Sequence, residues 1–201
     1  MLHAKYSLLC IFVFFLGCAP KTLLGQEIQP SRILDLPVME IRDNFLPYKE
    51  FCLRNVGECD LSGQSLLELR PAVWHFLLET NSSVNSEISL RSDRDEYQRE
   101  EFWTYPSNGF GDCEDIALEK RRRLVKIGLP RGPLRLAIVH HKRNLAAHAV
   151  LTVETCQGTF VMDSTHDQIL LWYTTPYNFE TRERTDSRWE RFDQDTWAFY
   201  E

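Results

Sequence analysis

Three residues of the chain, Cys113, His148 and Asp163, are of the types, and in the order, that nucleophilic thiol chemistry requires. Cys113 follows two glycines in the run Asn108-Gly109-Phe110-Gly111-Asp112 and opens a helix-like stretch. A helix N-terminus stabilises a thiolate through its free amide groups and its macrodipole. His148 begins one strand-like run, and Asp163 ends the next. We therefore predict that Cys113 is a nucleophile, that His148 is its base, and that Asp163 orients the base.

The turn between those two strands decides whether Asp163 can reach His148. A turn formed only by Gln157 and Gly158 would place Asp163 opposite Thr152, about 13 Å along the strand from His148. A four-residue turn over 155–158 pairs Glu154 with Thr159 and makes Asp163 the diagonal neighbour of His148, about 7–8 Å away between backbones. We predict the longer turn, because two side chains of medium length bridge that gap.

The remaining cysteines fit an oxidising compartment. Cys52 and Cys59 flank a short turn, and we predict that they form a disulfide worth about 2–3 kcal/mol. Their spacing does not suit a zinc site, which usually shows a tighter pair and a second pair elsewhere. A competing pairing between Cys113 and Cys156 stays open, and it would remove the nucleophile.

Residues 1–25 are predicted to be a signal peptide, and residues 26–201 a single domain. Lys5 supplies a positive start, and an apolar run follows over 6–17, which is too short to span a bilayer. Cleavage before Cys18, which would make Cys18 a lipid anchor, and cleavage near residue 25 both stay open. No later stretch approaches the ~18 apolar residues of a transmembrane helix, so we expect a periplasmic or otherwise exported protein.

The charge of the chain argues against nucleic-acid binding. The net charge is −6, and loss of the leader removes two lysines and no acids, which gives −8. Phosphate contacts dominate nucleic-acid affinity, and the largest basic cluster is only Arg121-Arg122-Arg123. We predict that this cluster lies on the solvated face of the helix that follows Cys113.

The predicted elements form an α+β pattern, with the nucleophile at a helix N-terminus that packs on an antiparallel sheet. We predict helices from residue 71 to about 89 and from 113 to about 127, where Gly128 ends the second. The charged segment 91–101 is expected on the surface, 26–50 as a linker and an extended entry segment, and the tail around Trp189 as a flap at most. Strands are predicted over 134–139, 148–154, 159–163, 169–173 and 177–182.

With these residues in place, the chain resembles the bacterial transglutaminase-like cysteine peptidase family, the group that contains the LapG-type periplasmic proteases. The most specific part is Gly-Asp-Cys-Glu-Asp over 111–115 followed by His-Ala-Val-Leu from His148. The matching positions are Phe51-Cys52, Glu58-Cys59, Asn81, Val84-Asn85, Trp103, Pro106, Gly111-Asp112-Cys113-Glu114-Asp115, Ala117, Lys120-Arg121, Leu124, Gly128, His148-Ala149-Val150-Leu151-Thr152-Val153, Val161-Met162-Asp163, Trp172, Tyr177 and Trp189.

The resemblance implies a papain-like/transglutaminase-like fold, a triad of Cys113, His148 and Asp163, and hydrolysis of peptide bonds in envelope or surface proteins. The chemistry needs no cofactor, but the resemblance makes calcium a candidate ligand of Asp112 and Glu114, and a regulatory protein a candidate partner. Carboxylates beside a thiol raise its pKa, so they must either point away or be neutralised. Surface carboxylates, with Asp112 as the helix N-cap, are the competing interpretation.

Two other functions stay open at this level. The same triad could pass the acyl group to an amine instead of water, which is transglutaminase chemistry. The chain could also be an envelope binding module that has kept the fold without turnover.

Overall fold

The computed structural model describes residues 22–23, 26–27, 38–43 and 45–198. Apart from residues 22–23, the predicted signal peptide lies outside these ranges, as does its candidate anchor Cys18. No helix within the described ranges combines the length and the apolar character that a membrane crossing needs.

Fifteen helices and strands are assigned in the described ranges. In chain order they are β1 (Thr22–Leu23), β2 (Gln26–Glu27), β3 (Val38–Arg42), α1 (Leu46–Arg54), α2 (Pro71–Glu87), β4 (Ser89–Leu90), α3 (Asp93–Tyr97), β5 (Phe110–Gly111), α4 (Cys113–Lys126), β6 (Leu134–His141), β7 (Ala147–Thr155), β8 (Gly158–Met162), β9 (Leu170–Leu171), β10 (Tyr177–Glu183) and β11 (Trp189–Phe192).

The main sheet has seven strands in the order β3-β11-β10-β6-β7-β8-β9, and every neighbouring pair is antiparallel. Helix α4 packs on β7 and β6, and α2 packs on α4. Two short pairs stand apart from this sheet: β1 with β2, and the parallel pair β4 with β5. The predicted α+β architecture, with Cys113 as the first residue of a helix on an antiparallel sheet, is confirmed.

Both faces of the sheet carry a hydrophobic core, because successive residues of its strands direct their side chains to opposite faces. Leu134 and Leu136 of β6 join the core beneath α4, together with Leu118 and Leu124 of that helix. The intervening Ala137 and Val139 join a second core with β10 and β11 on the opposite face. This alternation is the period-2 pattern that the sequence predicts for the central strands.

The hairpin between β7 and β8 has the predicted register but a shorter turn. Glu154 pairs with Thr159, as expected, and one further pair forms between Thr155 and Gly158. The Thr155 hydroxyl donates to the Gly158 carbonyl at 2.7 Å and accepts the Gln157 amide at 3.0 Å. Gly158 adopts a positive φ of 117°, which glycine tolerates. The prediction of a four-residue loop is therefore wrong in length, while the register that brings Asp163 near His148 is correct.

Two regions predicted to be irregular are ordered parts of the fold. The segment predicted as a linker and an extended entry contains the extended strand β3 and also the start of the helix α1, and the tail predicted as a flap contains β11. Trp189 of β11 is 2% exposed and packs its ring against those of Phe45 and Tyr48. The two regions support each other, since β11 pairs with β3, and such a pairing of distant segments leaves no local periodicity in the sequence.

The triple arginine does not lie wholly on a solvated face. Arg121 is fully buried and forms an ion pair with the buried Glu183 at 2.6 Å, whereas Arg122 is exposed. Arg121 lies three residues after Leu118 and three before Leu124, so helical periodicity directs it toward the sheet. In the predicted strand 169–173, only β9 is extended, and a 3₁₀ turn follows over Trp172–Thr174.

The predicted disulfide is present. Cys52 in α1 is bonded to Cys59, with the two Cα atoms 5.6 Å apart. Cys113 is a free thiol, so the competing pairing of Cys113 with Cys156 does not form.

Candidate active site

Cys113 opens α4 immediately after β5, at a point where the backbone must pack very closely. Gly111 has no room for a side chain, because a Cβ there would lie 2.9 Å from the Cβ of Asp115. Asp115 in turn accepts the backbone amide of Thr104 at 2.7 Å, which ties the first turn of α4 to the preceding loop. The glycine before the cysteine is thus explained by the tight junction between β5 and α4.

The Cys113 sulfur lies against the strand that carries His148. The amide of Ala149 donates to Sγ at 3.3 Å. This amide is free to do so because the pairing of β7 with β8 reaches only to Leu151 and Met162, so Ala149 lies beyond the end of the ladder. The sulfur is therefore held next to the residue that follows His148.

His148 and Asp163 form the predicted pair. Nε2 of His148 lies 2.8 Å from Oδ1 of Asp163, and the two residues come from β7 and from the residue just after β8. With Nε2 donating to the carboxylate, Nδ1 is the nitrogen that remains for a proton from a thiol. Tyr177 of β10 packs its ring against the imidazole, with the two ring centroids 5.5 Å apart.

Asp163 is a buried carboxylate with several donors. Besides His148, the Tyr177 hydroxyl donates to Oδ2 at 2.5 Å, and the Thr165 amide donates to Oδ1 at 2.9 Å. Burial alone would raise the pKa of Asp163, but the hydrogen bonds from His148 and Tyr177 outweigh it and hold the pKa well below its usual value. Asp163 is therefore a stable anion at neutral pH, and an imidazolium beside it is stabilised.

The turn after Asp163 is clamped by two asparagines of α2. Asn85 Nδ2 donates to the Asp163 carbonyl at 3.0 Å and to Oδ1 of Asp167 at 2.9 Å. Asn81 Nδ2 donates to the carbonyls of His166 and Asp167, both at 3.0 Å. The two asparagines that match the family therefore have a structural role, because they hold the backbone that presents Asp163.

A second group of carboxylates lies on the other side of the sulfur. Asp93, Asp112 and Glu114 each place a carboxylate oxygen within 4.8 Å of the other two. The parallel pair β4–β5 brings them together, because Leu90 pairs with Gly111 and the chain then continues into Asp93 on one side and Asp112 on the other. We call this group the acidic cluster.

Burial disfavours the charged form of all three carboxylates in the acidic cluster. Asp93 is 2% and Glu114 6% exposed, and Oδ1 of Asp112 is buried without a hydrogen-bond partner in the described structure. Burial, and then the charge of Asp112, raise the pKa of Glu114. Burial is also the main cause that raises the pKa of Asp112. Converging hard oxygen atoms of this kind suit a calcium ion, so the donor set fits the metal.

The acidic cluster also acts on the thiol. Cys113 Sγ donates to Oε2 of Glu114 at 3.1 Å. Burial raises the pKa of the Cys113 thiol, and the negative charge of Glu114 raises it further, against a smaller opposing effect of the Ala149 amide. The competing interpretation of surface carboxylates is wrong for Glu114, which is buried. Asp112 does occupy the N-cap position of α4, but its side chain makes no capping hydrogen bond.

Two residues of the site have no local sequence signal that indicates their role there. Asp93 lies in the charged segment 91–101 that was expected on the surface, and its carboxylate accepts the backbone amide of Phe102. A strongly polar segment gives no periodicity that marks one buried acid among exposed ones. Tyr177 is a predicted strand residue and a matching position of the family resemblance, but its role is not predicted, because the contact of its hydroxyl with Asp163 depends on the order of strands in the sheet.

A cavity of about 420 Å³ is lined in part by residues of β3, β6, β10 and β11. Ile138 lines it and is the cross-strand partner of Ala149, whose amide contacts the sulfur. Trp103, which is 2% exposed, contributes to the opposite wall.

Comparisons with known proteins identify the family of the chain. Residues 40–196 match the family described as bacterial transglutaminase-like cysteine proteinase. A solved structure of Legionella pneumophila LapG is 26% identical, with 59% of this chain and 68% of that chain covered and a TM-score of 0.51. Its calcium-bound form is 25% identical, with 62% and 74% covered and a TM-score of 0.52. An EGTA-treated form is 26% identical, with 59% of this chain and 67% of that chain covered and a TM-score of 0.51. No curated protein matches the chain.

Proposed function

The chain belongs to the bacterial transglutaminase-like cysteine proteinase family and is a cysteine proteinase, and from this premise we propose that it hydrolyses peptide bonds of envelope or surface proteins with Cys113, His148 and Asp163. The observation that supports the proposal most directly is the pairing of His148 Nε2 with Asp163 Oδ1 at 2.8 Å, beside an amide that holds the Cys113 sulfur at 3.3 Å. Nucleophile, base and orienting group come from α4, β7 and the end of β8.

In the proposed reaction, Nδ1 of His148 takes the proton from Cys113, and the thiolate attacks the carbonyl carbon of the scissile bond. The negative charge that develops on the carbonyl oxygen is stabilised by the Cys113 amide at the N-terminus of α4. His148 then gives its proton to the leaving amine, and a thioester remains on Sγ. Water, deprotonated by His148, attacks the thioester and releases the acid and the free thiol.

Asp163 acts on the base throughout this sequence. Its charge stabilises the imidazolium that forms each time His148 carries the extra proton, and its hydrogen bond to Nε2 leaves Nδ1 as the nitrogen that accepts the thiol proton. The donors from Tyr177 and Thr165 keep Asp163 ionised and in place.

Calcium is part of the proposal. Asp93, Asp112 and Glu114 are the residues that would hold the ion. When bound, the ion would supply positive charge that offsets the carboxylates beside Cys113 and so favours the thiolate. The calcium-bound and EGTA-treated forms of the similar LapG structure support this choice of metal.

The exported location is also part of the proposal. It is supported by the Cys52–Cys59 disulfide, since disulfides persist in oxidising compartments, and by the signal peptide predicted over residues 1–25. The substrate chain is proposed to lie along the cavity that Ile138 and Trp103 line, since Ile138 pairs with Ala149, whose amide contacts the sulfur.

The proposal is tested by mass spectrometry of the termini of envelope proteins, from cells with the wild-type protein and from cells with Cys113→Ser. We expect new protein termini that appear only with the wild type. Amine incorporation into glutamine side chains without new termini would instead indicate acyl transfer, and identical termini in both strains would contradict proteolysis.

A further inference from the structure

One stretch of the chain contacts both the segment that carries Cys113 and the turn that presents Asp163. It covers residues 81–91, which form about the last two turns of α2 and the short strand β4. The proposed mechanism uses none of its side chains. We call this stretch the α2–β4 bridge, because it connects the nucleophile to the carboxylate that orients its base.

Backbone hydrogen bonds fix the β4 end of the bridge to the segment before Cys113. The Ser89 amide donates to the Gly109 carbonyl at 2.9 Å, and the Arg91 amide donates to the Gly111 carbonyl at 3.0 Å. Gly111 lies two residues before the nucleophile, at the tight junction between β5 and α4. The position of β4 is therefore tied to the backbone that places the sulfur.

Core packing fixes the α2 part of the bridge to the first turn of α4. Val84 and Ile88 form a buried cluster with Ile116, and none of the three side chains is more than 7% exposed. Ile116 lies three residues after Cys113. Close-packed interiors deform little and transmit displacements. The end of α2 therefore has a defined position relative to the nucleophile.

Asn85 holds Asp163 itself from this end of α2. Its Nδ2 donates to the Asp163 carbonyl at 3.0 Å, to the His166 carbonyl at 3.2 Å and to Oδ1 of Asp167 at 2.9 Å. Asn81 instead donates to the carbonyls of His166 and Asp167, at the far end of the turn. Of the two asparagines, Asn85 is therefore the one that acts on the orienting residue directly.

The contact with Asn85 matters because Asp163 lies just beyond the sheet. The β7–β8 ladder ends at the pair of Leu151 and Met162, one residue before Asp163. Within the described residues, Asn85 supplies the donor to the Asp163 carbonyl. A shift of this backbone would carry the carboxylate with it, and with the carboxylate its hydrogen bond to His148.

The orientation of the Asn85 amide is dictated by the turn. Its Oδ1 is buried and has no hydrogen-bond partner in the described structure. The opposite orientation would place that oxygen against the three oxygen acceptors of the turn, where no hydrogen bond can form. An unpaired buried acceptor is unfavourable, so the fold keeps a local cost in order to direct the donor at the turn.

We propose that Asn85 is a positioning residue, which keeps Asp163 at a defined position relative to Cys113. It acts from a helix that is fixed to the first turn of α4, and its effect reaches the base because Asp163 orients His148. This inference rests on the proposed function of the three residues, and it assigns to Asn85 a role in reactivity beyond its role in holding the turn.

The test is a double-mutant cycle on the rate at which iodoacetamide alkylates Cys113 at pH 7 with calcium present. Asn85→Ala should slow alkylation by about 10-fold or more in the wild-type background, because small displacements of a base have large effects. In the His148→Ala background, the same substitution should change the rate by less than about 2-fold, since the base through which Asn85 acts is absent.

Two further variants complete the test. Ser86→Ala removes an exposed polar side chain at the next position of α2, and it should leave the alkylation rate and the melting temperature unchanged. Asn85→Leu keeps a side chain of similar size without the donor. It replaces Asn85→Ala if that variant does not fold, and it should show the same loss in the wild-type background alone.

Each outcome decides the inference. A folded Asn85 variant that is alkylated at the wild-type rate overturns it, and so does slowing of equal size in both backgrounds, since Asn85 would then not act through His148. Failure of both Asn85 variants to fold also overturns it, because the side chain would then be needed for folding. These results leave the proposed function in place. Equal alkylation rates in the wild type and His148→Ala would instead contradict the proposed function itself.

Discussion

The site holds two sets of carboxylates, one paired with His148 and one beside the Cys113 sulfur, and the protein treats them in opposite ways. Asp163 is buried with hydrogen bonds from His148, Tyr177 and Thr165, and its pKa lies well below the usual value. In the acidic cluster of Asp93, Asp112 and Glu114, the carboxylates face one another, and burial raises the pKa of Asp112 and of Glu114. The same residue type is therefore stabilised as an anion on one side and destabilised on the other.

The difference shows which half of the site the chain completes by itself. On the His148 side, the donors that an anion needs are supplied by the sheet, so the orienting carboxylate is ready without any ligand. On the other side, converging oxygen atoms bring negative charge next to the thiol, and we infer that a calcium ion supplies the balance. The comparison predicts that mutations on the two sides respond differently to calcium and to pH.

The largest effect is expected for Asp163→Asn, which keeps the shape of the side chain and removes its charge. Turnover should fall by about 1,000- to 10,000-fold, because the imidazolium loses its counter-charge and the ring its preferred tautomer. The measurement is the rate of cleavage of a substrate found by the termini experiment, with saturating calcium. Asp60→Asn, at an exposed position far from the sulfur, is the matched control and should behave as the wild type. Equal rates for Asp163→Asn and the wild type would remove Asp163 from the site.

An intermediate effect is expected for Asp93→Asn on the opposite side. Calcium affinity, measured by titration calorimetry, should fall by about 10-fold or more, since one of three converging oxygen ligands loses its charge. For the wild type, calcium at 100 times its Kd should stabilise the fold by about 2.7 kcal/mol. Asp95→Asn lies on the same short helix but is exposed, and it should bind calcium normally. A wild-type melting temperature that does not change with calcium would contradict calcium binding by the acidic cluster.

A smaller effect is expected for Tyr177→Phe, which removes one donor from Asp163. A hydrogen bond to a charged group contributes about 1.5–3 kcal/mol, so the free energy of unfolding at pH 7 should drop by about that amount, and turnover by roughly 10-fold. Calcium affinity should not change, which separates this side from the acidic cluster. Tyr173→Phe, on an exposed side chain, is the control.

The same variant has a defined pH dependence. The pKa of Asp163 in the folded protein lies below its ordinary value of 3.8, so its ionisation stabilises the fold at neutral pH. That contribution is lost as the pH falls below about 4 toward the folded-state pKa. Tyr177→Phe should bring the pKa back toward 3.8, so urea unfolding should show a larger difference from the wild type at pH 7 than at pH 3. A difference that is independent of pH would mean that the hydroxyl acts through packing.

The sequence was most informative where local signals and chemistry coincide. The glycines before Cys113, the helix after it and the strands that carry His148 and Asp163 could all be placed, and the register of the β7–β8 hairpin followed from the need to bring His148 and Asp163 together. The predicted turn is too long because the Thr155 hydroxyl hydrogen-bonds the Gly158 carbonyl and the Gln157 amide, which extends the ladder by one pair.

The parts that could not be predicted depend on contacts between distant segments. Asp93 reaches Asp112 only through the two-residue parallel pair β4–β5, and Tyr177 reaches Asp163 only because β10 lies across the sheet. Arg121 and Lys120 are charged residues that the fold buries, against the usual preference of their types. No pattern within a window of a few residues marks such positions, since their partners lie tens of residues away.

The central claim is that the Cys113 thiol is activated by His148, and the most direct measurement is the rate of its alkylation by iodoacetamide, followed by mass spectrometry at pH 7 with calcium present. We expect rapid, selective alkylation of Cys113 in the wild type and a rate at least 100-fold lower in His148→Ala, down to about that of an ordinary thiol. Equal rates in the two proteins would contradict it.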